Sequence, residues 1–276
     1  TKDIPRTEPE LDIPLVGNEA LCNMFAITDY HIGMNAWGEE TGADWDINIA
    51  RDLLVKWFAE AIRRAPQADT AVLAEIGDFL HWDGLDAVTP SSGHILDADT
   101  RFPKLVEMVM DVCVEAIGMM LTKHKKVHVI ICEGNHDLAG SVWLQKFIKK
   151  IFANNKRVTV DDSAFPYYAY KFGEVMIGYH HGHKKKNMAL PALFSSEPRF
   201  REMWGSCKKT YIHTGHYHHF ESKEDAGAKV ERHPTLAGRD SYAARGGWIS
   251  DRCAHAITYH KVYGEDSRKT VTPRRK

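Results

Sequence analysis

Short apolar runs and longer amphipathic stretches alternate through the first half of the chain. Residues 21–28 form an apolar run that stops at Asp29, the pattern of a strand buried on both faces. Residues 47–64 carry Ile49, Leu53, Val55, Trp57, Phe58 and Ile62 at helical spacing, with Asp46 placed to cap the helix. Residues 71–76 repeat the strand pattern and end at Gly77-Asp78. A long helical pattern follows over 101–123, then a third strand over 127–132 that stops before Gly134-Asn135, then a helix over 140–152. Beyond Phe152 helical periodicity becomes scarce. Strand patterns cover 158–160, 167–172, 175–179, 210–213 and 254–262. Strands with crossover helices, followed by strand-rich sequence, predict two packed sheets with helices outside, in one α/β domain over 18–265. Pro5, Pro9 and Pro14 mark 1–17 as an arm or linker, and 266–276 reads as a basic C-terminal tail.

Composition narrows the functional classes. With 36 Lys+Arg against 37 Asp+Glu, the formal net charge of −1 excludes a histone-like polycation. No apolar run approaches the roughly 20 residues needed to span a bilayer, so no membrane role is expected. Five widely spaced cysteines without a CxxC pair point to a reducing compartment, the cytoplasm, and against a thiolate zinc site. The chain starts on Thr1, so a preceding domain that supplies specificity is expected. Sequence alone says nothing of oligomeric state. The 16 histidines are unusual, and seven of them fall within 180–183 and 213–219.

Polar clusters follow the strand patterns one after another: Asp29-Tyr30-His31, Gly77-Asp78, Gly134-Asn135-His136-Asp137, His180-His181-Gly182-His183 and Gly215-His216-Tyr217-His218. In open α/β sheets ligands collect at the carboxyl ends of strands. Carboxylate, amide and imidazole without thiolate suit divalent Mn²⁺ best among transition metals, with Fe²⁺, Zn²⁺ or Ni²⁺ as alternatives, and suit Ca²⁺ poorly. In Asp-x-His and His-x-His on extended backbone the side chains point the same way and can chelate one ion or straddle two.

These five clusters, in this order, resemble the motifs of the calcineurin-like metallophosphoesterase superfamily. The resemblance runs from Met24 to His218. It implies a four-layer αββα sandwich of two mixed sheets and two divalent metal ions. One ion would sit on Asp29, His31, Asp78 and His218, the other on Asp78, Asn135, His181 and His216. His136 would be the general acid for attack by a metal-bridging hydroxide, with Asp137 orienting it. His180, His181 and His183 compete for one ligand position, and the family's histidine before glycine favours His181. His183 would then touch phosphate. Gly77-Asp78-Phe79-Leu80-His81 is similar to the signature of double-strand-break-repair nucleases, with His81 orienting a ligand or substrate. The capping domain of those nucleases is not evident.

Lys184, Lys185 and Lys186 follow at the site mouth and suit a polyphosphate backbone. A phosphodiesterase, a nuclease acting on DNA or RNA, is therefore expected. A phosphomonoesterase (protein phosphatase or nucleotidase) or a cyclic-nucleotide phosphodiesterase would use the same constellation. A metal-free binding scaffold is disfavoured, because all eight motif residues from Asp29 to His218 are present. The polar stretch 82–101 is expected to border the site as a loop, and Trp248 is expected in the core.

Overall fold

A computed structural model describes residues 18–272. The arm expected over 1–17 and the final residues of the tail lie outside them. In chain order the elements are β1 (Leu21–Ile27), α1 (Gly38–Thr41), α2 (Ile47–Arg64), β2 (Thr70–Glu75), α3 (Phe102–Leu121), β3 (Lys126–Ile131), α4 (Leu138–Ile151), β4 (Val158–Val160), β5 (Tyr168–Phe172) and β6 (Val175–Tyr179). There follow α5 (Leu190–Ser196), α6 (Arg201–Ser206), β7 (Lys209–Thr214), β8 (Glu221–Asp225), β9 (Ala228–Arg232), α7 (Ser241–Arg245), β10 (Ala254–His260) and β11 (Gly264–Val271).

The strands form a six-stranded sheet, β11-β10-β1-β2-β3-β4, and a five-stranded sheet, β5-β6-β7-β9-β8. Both are mixed: β1 to β4 run parallel, β10 and β11 antiparallel, and β6, β7 and β9 are parallel between antiparallel edges. The period of two along each strand divides the apolar residues between three cores. Phe25, Ile27, Leu73 and Val129 face Leu54 and Phe58 of α2, Val109 and Val112 of α3, and Leu144 of α4. Their neighbours Met24, Val72, Ala74 and Ile130 face Val175, Ile177 and Tyr179 across the gap between the sheets. Met176, Ile212 and Val230 turn outward onto Leu190 and Phe194 of α5. Helices, sheet, sheet and helices give a four-layer αββα sandwich.

Local chemistry sets the ends. The Asp46 carboxylate accepts from the backbone N–H of Asn48 and Ile49, capping α2. Pro103 opens α3, where its missing N–H costs nothing. Asp137 precedes α4 without capping it; the Asp83 carboxylate does so instead, accepting from Ala139 and Gly140. The expected tail is corrected as far as Val271: Gly264–Val271 is an edge strand paired with β10. The loop 82–101 is tied down at Met34, Asn35 and Ile47 through Ala98, Asp97 and Asp99. Trp248 is corrected too: it is 56% exposed, its ring meeting that of Tyr242 edge-on at 5.2 Å. Among the described residues no helix is long and apolar enough to cross a membrane.

Candidate metal centre

Five turns meet where the carboxyl ends of β1, β2 and β3 face those of β6 and β7. The turns after β1 and β2 are zipped together: Asp29 N–H donates to Gly77 O, His31 N–H to Asp78 O and Ile32 N–H to Phe79 O, at 2.8–3.0 Å. Gly134 and Gly215 let the other turns approach. A Cβ on Gly134 would lie 2.0 Å from Asp78 Oδ1, and one on Gly215 would lie 1.9 Å from Thr28 Oγ1. Only glycine fits at either place.

Two carboxylate-containing triads of donor atoms result, each within 4.8 Å: Asp29, His31 and His218, and Asp78, His181 and His216, beside a third group of three imidazoles, His31, His81 and His136. Asn135 Oδ1 is buried beside them without a partner. Each carboxylate spends one oxygen on the protein. Asp29 Oδ2 accepts from Thr28 Oγ1 and from His216 N–H, while Asp78 Oδ1 accepts from His136 N–H. The second oxygens point at imidazoles: Asp29 Oδ1 is 3.2 Å from His218 Nε2, and Asp78 Oδ2 is 3.1 Å from His181 Nε2. His181 Nδ1 donates to Ile76 O, so Nε2 is the nitrogen turned to the carboxylates.

This donor set fits divalent ions. Atoms that share a divalent ion lie about 3 Å apart, close to the 3.1 and 3.2 Å between carboxylate and imidazole here. Asp29 Oδ1 and His181 Nε2 are buried without a hydrogen-bond partner, as ligand atoms would be. Backbone strain marks the same residues. Six non-glycine residues among those described have positive φ, and five of them are Asp29, His31, Asp78, His216 and His218. Each such conformation costs on the order of 1–2 kcal/mol and persists only where the surroundings impose it.

Packing so many charges together moves their proton affinities. Burial pushes Asp78 up, but the imidazoles of His181, His136 and His31 outweigh it and hold the carboxyl well below its usual range. Burial lowers His181, and Asp78 and Asp29 more than reverse this, raising it to about 10. Carboxylate and imidazole therefore hold each other in the charged form.

His136 stands at the edge of the first triad, its ring 4.7 Å from that of His31. His136 Nδ1 donates to His81 O, which leaves Nε2 for chemistry. The expectation that Asp137 orients His136 is corrected here. The Asp137 carboxylate accepts from the N–H groups of Gly134, Asp78, Phe79 and Leu80 at 2.7–3.2 Å, so it ties the Asn135 turn to the Asp78 turn. Burial, and then Asp78, raise its pKa to about 7. His81 is buried, with Nδ1 3.5 Å from His31 Nδ1 and its ring stacked at 5.6 Å on His136. His180 Nδ1 accepts from Gly182 N–H and its ring stacks on Tyr167. His183 lies beside His181 and His216, and Lys184, Lys185 and Lys186 are exposed.

Several supporting residues carry no motif. Thr28 Oγ1 fixes Asp29 from one side, and Thr235 Oγ1 donates to Asp29 O from the other. Glu75 accepts from Gly77 N–H and is buried, which pushes its carboxyl well up. His213, Glu231 and His233 form a further buried group between the sheets. His213 bonds His233 and Tyr259, and Arg268 already pairs with Glu231. No motif in the sequence marked this group.

No protein-family model matches the chain, and no curated protein matches it. Among solved structures the chain is similar to an archaeal phosphodiesterase, at 11% identity and TM-score 0.42, covering 91% of this chain and 99% of that one. It is similar also to a dimetal phosphatase from Danio rerio, at 9% identity and TM-score 0.42, over 91% and 98% of the two chains. Vps29 complexed with Zn²⁺ from Entamoeba histolytica matches at 13% identity and TM-score 0.37, over 91% and 98%. Likeness this distant assigns no role to any residue; the site's own geometry does that.

Proposed function

We propose that this protein is a dinuclear metal-dependent phosphodiesterase, a nuclease acting on DNA or RNA in the cytoplasm. The observation that supports it is the pair of largely buried triads, each with one carboxylate oxygen and imidazole nitrogens left for an ion, set against His136. Asp29, His31 and His218 would hold one ion, and His181, His216 and Asn135 the other, with Asp78 between them. Mn²⁺ suits the ligands best, with Fe²⁺, Zn²⁺ and Ni²⁺ next. Two divalent ions would polarise a phosphoryl oxygen and lower the pKa of water towards neutrality.

The chain's own residues supply the rest. His136 donates Nδ1–H to the His81 carbonyl, so Nε2 is the nitrogen that would hand a proton to the reaction. That proton passes to the departing oxygen, which would otherwise leave as a costly alkoxide. His81, packed on both His31 and His136, keeps the acid and the first triad in one arrangement. Asp137 holds the Asp78 and Asn135 turns at a fixed separation. Lys184, Lys185 and Lys186 attract a backbone of successive phosphates, which favours a diester over a monoester.

The test is incubation of metal-stripped protein with labelled linear DNA and RNA, with and without Mn²⁺, beside His136→Ala and Asp78→Asn. The reading expects Mn²⁺-dependent cleavage, lost by at least ~100-fold in His136→Ala with metal content unchanged. Asp78→Asn should lose metal from both positions. Intact polynucleotides with hydrolysis of a phosphomonoester or a cyclic nucleotide would transfer the site to those substrates.

A further inference from the structure

His183 has a fixed ring and no partner for it. Both of its nitrogens are buried without a hydrogen bond. Imidazole carries an N–H in every protonation state, so a donor is stranded there. Buried donors are almost always satisfied, and an exception calls for a ligand that the chain does not provide.

The ring is held from behind. It lies parallel to His180 at 5.8 Å and 4°, and His180 in turn stacks on Tyr167 at 4.4 Å and 13°. Gly182, with φ at 107°, makes the reversal that returns the chain to the site, and its N–H donates to His180 Nδ1. In front, the His183 ring is 5.3 Å from that of His181 and 6.3 Å from that of His216, two members of the second triad. The carboxylate whose charge reaches His183 is Asp78, with Lys184 and the imidazoles of His181 and His216 acting in the opposite sense.

We propose that His183 is an anion-contacting residue, donating its N–H to a non-bridging oxygen of a phosphoryl group seated at the second triad. The proposal rests on the phosphoesterase reading for its substrate, but the contact itself is testable by binding alone. No proton is transferred: the residue positions the phosphoryl group, and Lys184 adds charge beside it.

The experiment uses the full chain loaded with Mn²⁺, with inorganic phosphate as probe. Phosphate affinity is measured by calorimetry and metal content by atomic emission, for the wild type, His183→Ala and His183→Gln. His183→Ala should keep the wild-type metal content and bind phosphate about 10- to 100-fold more weakly, the range for a hydrogen bond to a charged group. His183→Gln, which retains an N–H, should recover most of that loss. In turnover the defect should appear in KM more than in kcat. Loss of metal in His183→Ala would make the residue a metal ligand and overturn the proposal. Unchanged phosphate affinity in both variants, or no phosphate binding by the wild type, would overturn it as well. Phosphate binding that depends on His183 in a protein that hydrolyses no phosphoester would retain the contact and refute the phosphoesterase reading.

Discussion

Asp137→Asn isolates one buried carboxylate that four main-chain donors share. Oδ1 accepts from Gly134 and Asp78, and Oδ2 accepts from Phe79 and Leu80. An amide preserves the shape but replaces one acceptor with a donor. Whichever way it is turned, two N–H groups then face an NH₂ group inside a site only 1% exposed. Leaving a buried donor unsatisfied costs about 1–3 kcal/mol, so two cost about 2–6 kcal/mol. That is a large share of the 5–15 kcal/mol that keeps a typical domain folded. The measurement is urea denaturation of metal-stripped wild type and variant at pH 8.5, above the value of about 7 to which burial and Asp78 raise the acid. The same displacement of the Asp78 turn should weaken metal affinity by about 10- to 100-fold, as loss of an outer-shell partner does. A variant with stability within about 0.5 kcal/mol of wild type and undiminished metal affinity would refute the reasoning.

Gly215→Ala should destabilise the protein by about 1–3 kcal/mol or more, because its Cβ must displace Thr28 Oγ1 and the Asp29 carboxylate; denaturant midpoints and metal content both report it. His213 is held neutral by burial, its pKa lowered to about 4. The unfolded chain, at about 6.5, then binds more protons between those values, so this stabilisation is complete above pH 6.5 and is lost as pH falls towards 4, by about 3 kcal/mol. Urea midpoints from pH 7.5 to 4.5 should therefore fall more steeply for wild type than for His213→Asn, and equal slopes would contradict the assignment. Stripping metal from the wild type should lower its thermal midpoint and re-adding Mn²⁺ should restore it, by an amount that grows with free ion concentration.

Much of this was legible in the chain because buried parallel strands read as uninterrupted apolar runs that end in a polar cluster. The strands Leu21–Ile27, Thr70–Glu75 and Lys126–Ile131 each end one residue before the apolar run expected for them, and the clusters after them meet in space. The helix Ile47–Arg64 was legible for the complementary reason, an apolar stripe of period 3.6 behind a capping Asp46. The hairpin of β8 and β9 was not. Glu221–Asp225 is an exposed edge whose side chains obey no apolar pattern, and β11 escaped notice for the same cause. Helices α5 and α6 have only seven and six residues, too few for periodicity to declare itself. Within the site, residue types indicated which groups could bind metal. They did not indicate that Asp137 serves the backbone rather than His136, since a carboxylate accepts from either. Nor did they show that Asp29, His31, Asp78, His216 and His218 sit in left-handed backbone, a conformation set by the turns that surround them.

The two triads share a property that matters for mechanics as well as chemistry. Asp29 and His31 follow a strand of the six-stranded sheet and His218 follows one of the other; Asp78 likewise belongs to the first, and His181 and His216 to the second. An ion at either position would therefore be a rivet through the seam between two sheets, beside a contact made of apolar side chains and of the His213–Tyr259 and Glu231–Arg268 bonds. Emptying the centre should leave each sheet intact while letting the seam breathe. Amide exchange should then accelerate first at the ends of β1, β2 and β7, well before either sheet loses its own ladder.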